Sequence, residues 1–166
     1  HGAAYDQIFV LIDKLEEYGM EFQCDQDSLK VQCPKEGRPV AVTTYPYPGF
    51  PTDLQAQFMV VMAKTPGVSV VIDRVFPDRF IHIAELNRMG ANIRREGNAA
   101  IIEGVPELYG APVMASDLRA SAALVIAALS AKNTTEINRV YHLDRGYEDL
   151  DQKLLGLGAR VSRAAE

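Results

Sequence analysis

At 166 residues and a formal net charge of −5, the chain has the length of one domain with room for a sizeable core. Its 48% hydrophobic and 23% charged residues exclude a disordered tail or low-complexity tract, and the absence of any Lys/Arg cluster argues against a general nucleic-acid or membrane-surface binder. No segment reads as a signal peptide or membrane span, and the start at His1 rather than Met reads as a fragment.

Tyr5 to Tyr18 carries Ile8, Leu11, Ile12 and Leu15 at helical spacing, with Gly19 as the stop. Met20–Cys24 and Leu29–Cys33 alternate around the turn Asp25-Gln26-Asp27 and predict a hairpin. Pro39 to Thr44 predicts a strand. The run from Tyr45 to Pro51 holds three prolines, which remove donors and fix backbone angles, so it predicts a rigid exposed loop. Thr52 or Asp53 is placed to cap a helix from Leu54 to about Lys64, and Thr65-Pro66-Gly67 ends it.

Val68–Ile72 predicts a strand, Phe76–Arg79 a loop, and Ile83–Met89 a shorter helix stopped by Gly90. Ala91–Arg95 and Ala99–Glu103 predict a hairpin over Gly97-Asn98. A loop at Pro106–Gly110 leads to a short strand at Ala111–Met114. The next helix, from about Ser116 to near Lys132-Asn133, is apolar on almost every side, with Asp117 and Arg119 the only full charges as far as Leu129. A helix apolar all round is buried. Thr135–Val140 predicts a strand, Tyr141–Tyr147 a polar loop, Leu150–Leu157 a helix stopped by Gly158, and Ala159–Ser162 a last strand. Cys24 and Cys33 fall in strand-like text and read as small reduced core residues. A cross-strand disulfide is the minor alternative, and their spacing does not suit a metal site.

The text repeats itself. Thr52-Asp53-Leu54-Gln55-Ala56 aligns with Ser116-Asp117-Leu118-Arg119-Ala120, and Ile72-Asp73-Arg74-Val75 with Ile137-Asn138-Arg139-Val140. Phe80–Ile93 aligns with Tyr147–Val161, and Leu15–Phe22 is a third copy of the end of that block. Each unit is a capped buried helix, a strand, a loop, an exposed helix, a hairpin and a short strand. The nearly all-apolar helices require sheets to enclose them, and alternating strands offer one apolar face each. Repeat units close their core on neighbours, so a chain that starts and stops in mid-unit is expected to expose an apolar edge or cover it by pairing with another chain.

Comparison of the copies separates scaffold from candidate site. Asp53 and Asp117 occupy equivalent positions, and helix capping accounts for both. Arg119 aligns with Gln55, so the fold does not require it, and a cation at a helix N-terminus opposes the macrodipole. Either it grips an anion bidentately or it pairs with Asp117. Arg145 aligns with Arg79; one structural pairing explains both, or the arginines converge on an anion. His82 and His142 lack metal spacing and read as surface or loop residues. No Ser-His-Asp order, glycine phosphate loop or zinc signature is present.

Three motifs carry a resemblance. Tyr47-Pro48-Gly49-Phe50-Pro51-Thr52-Asp53-Leu54-Gln55, Met114-Ala115-Ser116-Asp117-Leu118-Arg119-Ala120-Ser121 and Tyr141-His142-Leu143-Asp144-Arg145-Gly146-Tyr147 closely resemble the UDP-N-acetylglucosamine 1-carboxyvinyltransferase family, in the right order over most of the chain. The resemblance implies a bacterial cytoplasmic enzyme that moves enolpyruvyl from phosphoenolpyruvate to the sugar 3-hydroxyl of UDP-N-acetylglucosamine. Phosphate is released, in the first committed step of peptidoglycan synthesis. It implies no cofactor and no metal. The implied fold is α+β: an α/β prism (inside-out α/β barrel) of repeated βαβαββ-type units, enolpyruvyl transferase-like. Residues 1–166 would then be one partial domain of about two repeat units, the whole unit lying near 52–115.

By motif match, Asp53 is implied to contact the reacting sugar hydroxyl as a general base, and Val75 to contact the uridine nucleotide through its backbone. Arg119 and Arg145 are implied at the phosphoenolpyruvate end, Arg79 as a further cleft arginine, and Asp117 as an acid near the reacting centre. The match covers only the C-terminal part of a longer enzyme. The family's lysine-asparagine pair and the N-terminal domain with its cysteine loop have no counterpart, and Cys24 and Cys33 do not match that cysteine. The isolated chain is therefore expected to be inactive, since half a site lacks much of the preorganisation such catalysis needs. The alternatives are a nucleotide-sugar binding module, or a structural paralogue fragment that pairs with another chain or with itself.

Overall fold

A computed structural model describes residues 5–26 and 28–164. Helix α1 (Tyr5–Tyr18) stops where the sequence places the stop: Gly19 takes a φ of +115°, a conformation favouring glycine, and donates to the Leu15 carbonyl at 3.1 Å. Strands β1 (Glu21–Cys24) and β2 (Leu29–Gln32) form the antiparallel hairpin; Asp27 of its turn lies outside the described residues. Cys24 and Cys33 are both free and exposed, not core residues. The hairpin's register explains why they do not bridge: Cys24 faces Leu29, while Cys33 follows Gln32, which faces Glu21 at the far end.

Strand β3 (Ala41–Thr44) leads into the proline loop, where Tyr47–Pro48 is cis. The loop is not wholly exposed: Phe50 turns inward, is buried, and packs edge-on against Phe58. A 3-10 turn (Thr52–Leu54) precedes α2 (Gln55–Ala63), which buries most of its residues. Strand β4 (Val68–Asp73) runs parallel to β3. Helix α3 (His82–Arg88) ends before Gly90, and β5 (Asn92–Glu96) and β6 (Ala99–Glu103) form the predicted hairpin. The sheet order is β3-β4-β6-β5. Its strands alternate as the sequence suggests, burying Val42, Val71, Ala100 and Ile102 on one face.

Strand β7 (Pro112–Met114) is followed by α4 (Leu118–Ser130) and β8 (Glu136–Asn138), which pairs parallel with β7. Thus β7–α4–β8 repeats the β3–α2–β4 crossover. Helix α2 lies against β4 and β6 and also against α4, so Met59, Met62, Leu86 and Leu124 are fully buried between sheet and helices. Fully burying a side chain of this size contributes roughly 1.5–3 kcal/mol. Helix α4 is less enclosed than its composition predicts: Ile126 and Leu129 are exposed, and among the described residues nothing covers them.

Two further expectations change. Residues 141–144 form a helical turn, α5 (Tyr141–Asp144), before the chain opens into a loop and enters α6 (Leu150–Gly156). Residues 159–162 are not a strand. A strand needs a lateral partner for its backbone groups. The aligned β5 has β6, whereas no described residue pairs with 159–162. No helix among the described residues is long and apolar enough to cross a membrane.

Candidate active site

The aligned acids part company. Asp117 is the N-cap of α4: its Oδ1 accepts from the Arg119 and Ala120 backbone N–H groups at 2.8 and 2.9 Å. The Ser121 hydroxyl donates to the Asp117 carbonyl. Asp53 caps nothing. It sits within the 3-10 turn that precedes α2, and neither that turn nor α2 has a side-chain cap. Freed from backbone duty, Asp53 projects outward, and its Oδ1 accepts from Arg119 Nε at 2.8 Å and Arg79 Nη1 at 3.1 Å.

Arg119 therefore pairs with Asp53 and not, as one sequence reading had it, with Asp117. Its side chain turns away from its own helix mouth towards the neighbouring unit. Arg79 reaches the same oxygen from the loop after β4, its guanidinium over the Phe76 ring at 3.9 Å from the centroid. The hydrogen bond from Arg119 chiefly holds the Asp53 carboxyl below its usual range, against partial desolvation and with help from Arg79. The same bond raises Arg119. Charge-assisted bonds of this kind are stronger than neutral ones, but Asp53 is 58% exposed, so solvent weakens the pair.

A second carboxylate, Asp73, supports this cluster, and sequence reasoning did not single it out. It ends β4 and is fully buried. Its Oδ1 accepts from the Thr44 hydroxyl at 2.7 Å and from the Val75 and Phe76 N–H groups at 2.9 and 2.8 Å; its Oδ2 accepts from the Thr52 hydroxyl at 2.7 Å. Burial alone would push this carboxyl up, but the donors outweigh it and the net direction is down. One sequence signal pointed here: the aligned residue is Asn138, so the scaffold does not demand an acid at this position.

The other candidates are spread around this centre. The Val75 N–H is taken by Asp73, and its side chain is half-buried. Arg145 is exposed and has no ion pair among the described residues, so it does not share the role of the aligned Arg79. It lies beside an open concavity of about 670 Å³ that Tyr147 and Asp151 also line. Its loop is pressed against the mouth of α4: a Cβ on Gly146 would stand 2.7 Å from Leu118 Cδ1. Arg163 pins the far side by a bidentate bond to Asp144. His82, far from being a surface residue, is 1% exposed, with Nε2 3.3 Å from Met59 Sδ. Among the described residues no group of His, Cys, Asp or Glu is arranged to hold a metal ion.

One acid and two arginines, drawn from the ends of repeated crossovers, thus place a carboxylate, a group able to accept a proton, against two guanidinium groups, which suit anions. The chain belongs to the EPSP synthase (3-phosphoshikimate 1-carboxyvinyltransferase) family, whose model matches residues 3–154. It has the α/β prism fold of the enolpyruvyl transferases. It is 52% identical over 161 residues to UDP-N-acetylglucosamine 1-carboxyvinyltransferase of Geotalea daltonii, a match covering 97% of this chain and 39% of that protein. The protein of the same description from Thermodesulfovibrio yellowstonii is 54% identical over 162 residues, covering 98% and 39%. The chain thus spans about two fifths of the length of these relatives.

Among solved structures, the enolpyruvyl transferase NikO from Streptomyces tendae superposes with a TM-score of 0.84 at 28% identity, covering 92% of this chain and 36% of that one. EPSP synthase from Acinetobacter baumannii superposes at 0.65 with 13% identity, covering 94% and 37%, a likeness of fold alone.

Proposed function

We propose that this chain is the part of an enolpyruvyl transferase that positions the acceptor hydroxyl and the anionic end of the donor, with phosphoenolpyruvate as donor and UDP-N-acetylglucosamine as acceptor. The observation that carries the reading is Asp53 released from capping and held between Arg79 and Arg119. In this reading Asp53 takes the proton of the sugar 3-hydroxyl. The hydroxyl oxygen bonds to C2 of phosphoenolpyruvate as C3 gains a proton; loss of a proton from C3 then expels inorganic phosphate and leaves the enolpyruvyl ether. A positioned base contributes typically about 10²–10⁴ in rate.

Arg119 and Arg145 are assigned to the phosphoenolpyruvate anion, Arg79 and Asp117 to the cleft beside the reacting centre, and the Val75 backbone to the nucleotide. The Val75 carbonyl is the group available for that contact, since its N–H already bonds to Asp73. Residues 1–166 are read as one partial domain, with a whole repeat unit near 52–115. The setting is bacterial, cytoplasmic peptidoglycan synthesis. The partner is the remainder of the transferase, with self-association of this chain as the alternative cover for exposed residues such as Ile126 and Leu129.

The test is release of phosphate from the two substrates. The chain alone is expected to release none, and co-expression with the N-terminal three fifths of the Geotalea daltonii relative is expected to restore release. Turnover by the chain alone, or none on complementation, would contradict the reading. Tight binding of UDP-N-acetylglucosamine by the chain alone in calorimetry would favour a separate nucleotide-sugar binding module instead.

A further inference from the structure

Asp73 is fully buried, and the proposed chemistry gives it no substrate to touch. A buried carboxylate is costly unless its lone pairs are filled, and the donors to Asp73 come from three places: Thr44 on β3, Thr52 in the 3-10 turn, and the backbone at Val75 and Phe76. The bond from Thr52 has a direction. An ionised carboxylate has no hydrogen to give, so the Thr52 hydrogen must point inward to Asp73 Oδ2. The hydroxyl lone pairs are left facing Arg79, whose Nη1 donates to Thr52 Oγ1 at 3.2 Å and to Asp53 Oδ1 at 3.1 Å. Asp73 also holds the N–H of Phe76, the residue whose ring lies under the Arg79 guanidinium. Two of the three groups that hold Arg79, the Thr52 hydroxyl and the Phe76 ring, are thus anchored on one carboxylate.

We propose that Asp73 is a positioning residue for the Asp53 site, acting through the Thr52 hydroxyl: it fixes that hydroxyl as an acceptor and so aims the Arg79 guanidinium at Asp53. The repeat supplies an internal control. In the aligned copy the acid is Asn138, whose side chain bonds to nothing among the described residues, and the arginine aligned with Arg79 is Arg145, which has no ion pair there. The scaffold forms the crossover without the relay, and where the acid is missing the arginine is left unheld. The significance of the relay for chemistry rests on the reading of Asp53 as the group that meets the sugar hydroxyl; its geometry does not.

The experiment reads two nuclear magnetic resonance signals in this chain without ligand: the titration of the Asp53 carboxyl carbon and the separation of the Arg79 Nη signals, which are distinct when a guanidinium is held. Asp53 faces Arg79 from the loop after β4 and Arg119 from α4, and Asp117 acts on Arg119 at the same helix mouth. Thr52→Val keeps the shape of the side chain and removes the hydroxyl. It is expected to raise the Asp53 midpoint by about half a pH unit, a part of the shift an adjacent cation produces, and to merge the Arg79 signals. Thr52→Ser is expected to restore both, and Asp73→Asn to merge the Arg79 signals as Thr52→Val does. If Thr52→Val and Asp73→Asn change only the melting temperature and leave both signals as in the parent chain, Asp73 is merely structural and the proposal falls. Because no substrate is present, this result is independent of whether Asp53 acts as the base, which the complemented enzyme tests separately.

Discussion

Arg119 Nε stands 2.8 Å from Asp53 Oδ1 although the two residues are 66 positions apart, and this bond ties the start of α4 to the start of α2. It joins two units of the repeat at equivalent ends. The Asp53 carboxylate already engages both guanidinium groups, so an added anion has to compete with it for them. Removing the charge of Asp53 takes from Arg79 and Arg119 the carboxylate they share. Asp53→Asn is therefore expected to bind inorganic phosphate about tenfold more tightly, equivalent to about 1.4 kcal/mol, as read by calorimetric titration. Equal affinity would mean that the pair does not compete with anions.

The two aligned aspartates are expected to respond differently to substitution. Asp117 caps α4 through two backbone N–H groups, so Asp117→Ala should cost about 0.5–2 kcal/mol and Asp117→Asn, an equally good cap, very little. Asp53 has no capping bond to lose, and Asp53→Ala should cost less than Asp117→Ala. Urea denaturation of the three variants checks the order.

That contrast shows how far the sequence could be read. Hydrophobic patterning located nearly every helix and strand because α2 and α4 are apolar runs bounded by turn and capping residues and the sheet strands alternate, and the glycine stops at Gly19, Gly90 and Gly158 all take positive φ. The repeat made Arg119 conspicuous. Capping, however, is a property of the first turn's geometry. The sequence does not reveal that the chain enters α2 through a 3-10 turn, which leaves Asp53 unemployed, whereas it enters α4 from an extended Asp117. Asp73 was visible only as one half of an aligned Asp/Asn pair, since the hydroxyls it gathers come from Thr44 and Thr52 in separate segments. His82 escaped because a single histidine on a short helix carries no pattern that distinguishes a buried face from a wet one.

His82 gives a dependence on pH. Burial lowers its pKa to about 4 from 6.5, against a smaller opposing effect of Asp117. Between those values the unfolded chain binds a proton that the folded chain refuses, so stability falls as pH drops from 6.5 towards 4. The loss approaches about 3 kcal/mol at the low end, at roughly 1.4 kcal/mol per pH unit. His82→Leu should flatten this part of the stability profile. Chemical denaturation at pH 7 and pH 4.5 measures it, and an unchanged slope in the variant would show that another group dominates.

The loop that carries Arg145 depends on Gly146. A Cβ at that position would stand 2.7 and 2.8 Å from the two terminal carbons of Leu118. Gly146→Ala should therefore destabilise by about 1 kcal/mol, within the range for overpacking, and Leu118→Ala in the same chain should recover part of the loss. A thermodynamic double-mutant cycle reads the coupling; additive effects would mean that the loop relaxes away from α4.

The most direct measurement is the rate of phosphate release by the complemented transferase carrying Asp53→Asn. If Asp53 accepts the proton of the sugar hydroxyl, kcat should fall by about 10²–10⁴ while the protein folds and still binds UDP-N-acetylglucosamine. A kcat within a factor of about two of the parent enzyme, less than 0.5 kcal/mol in barrier height, would contradict the assignment of this carboxylate to the reaction.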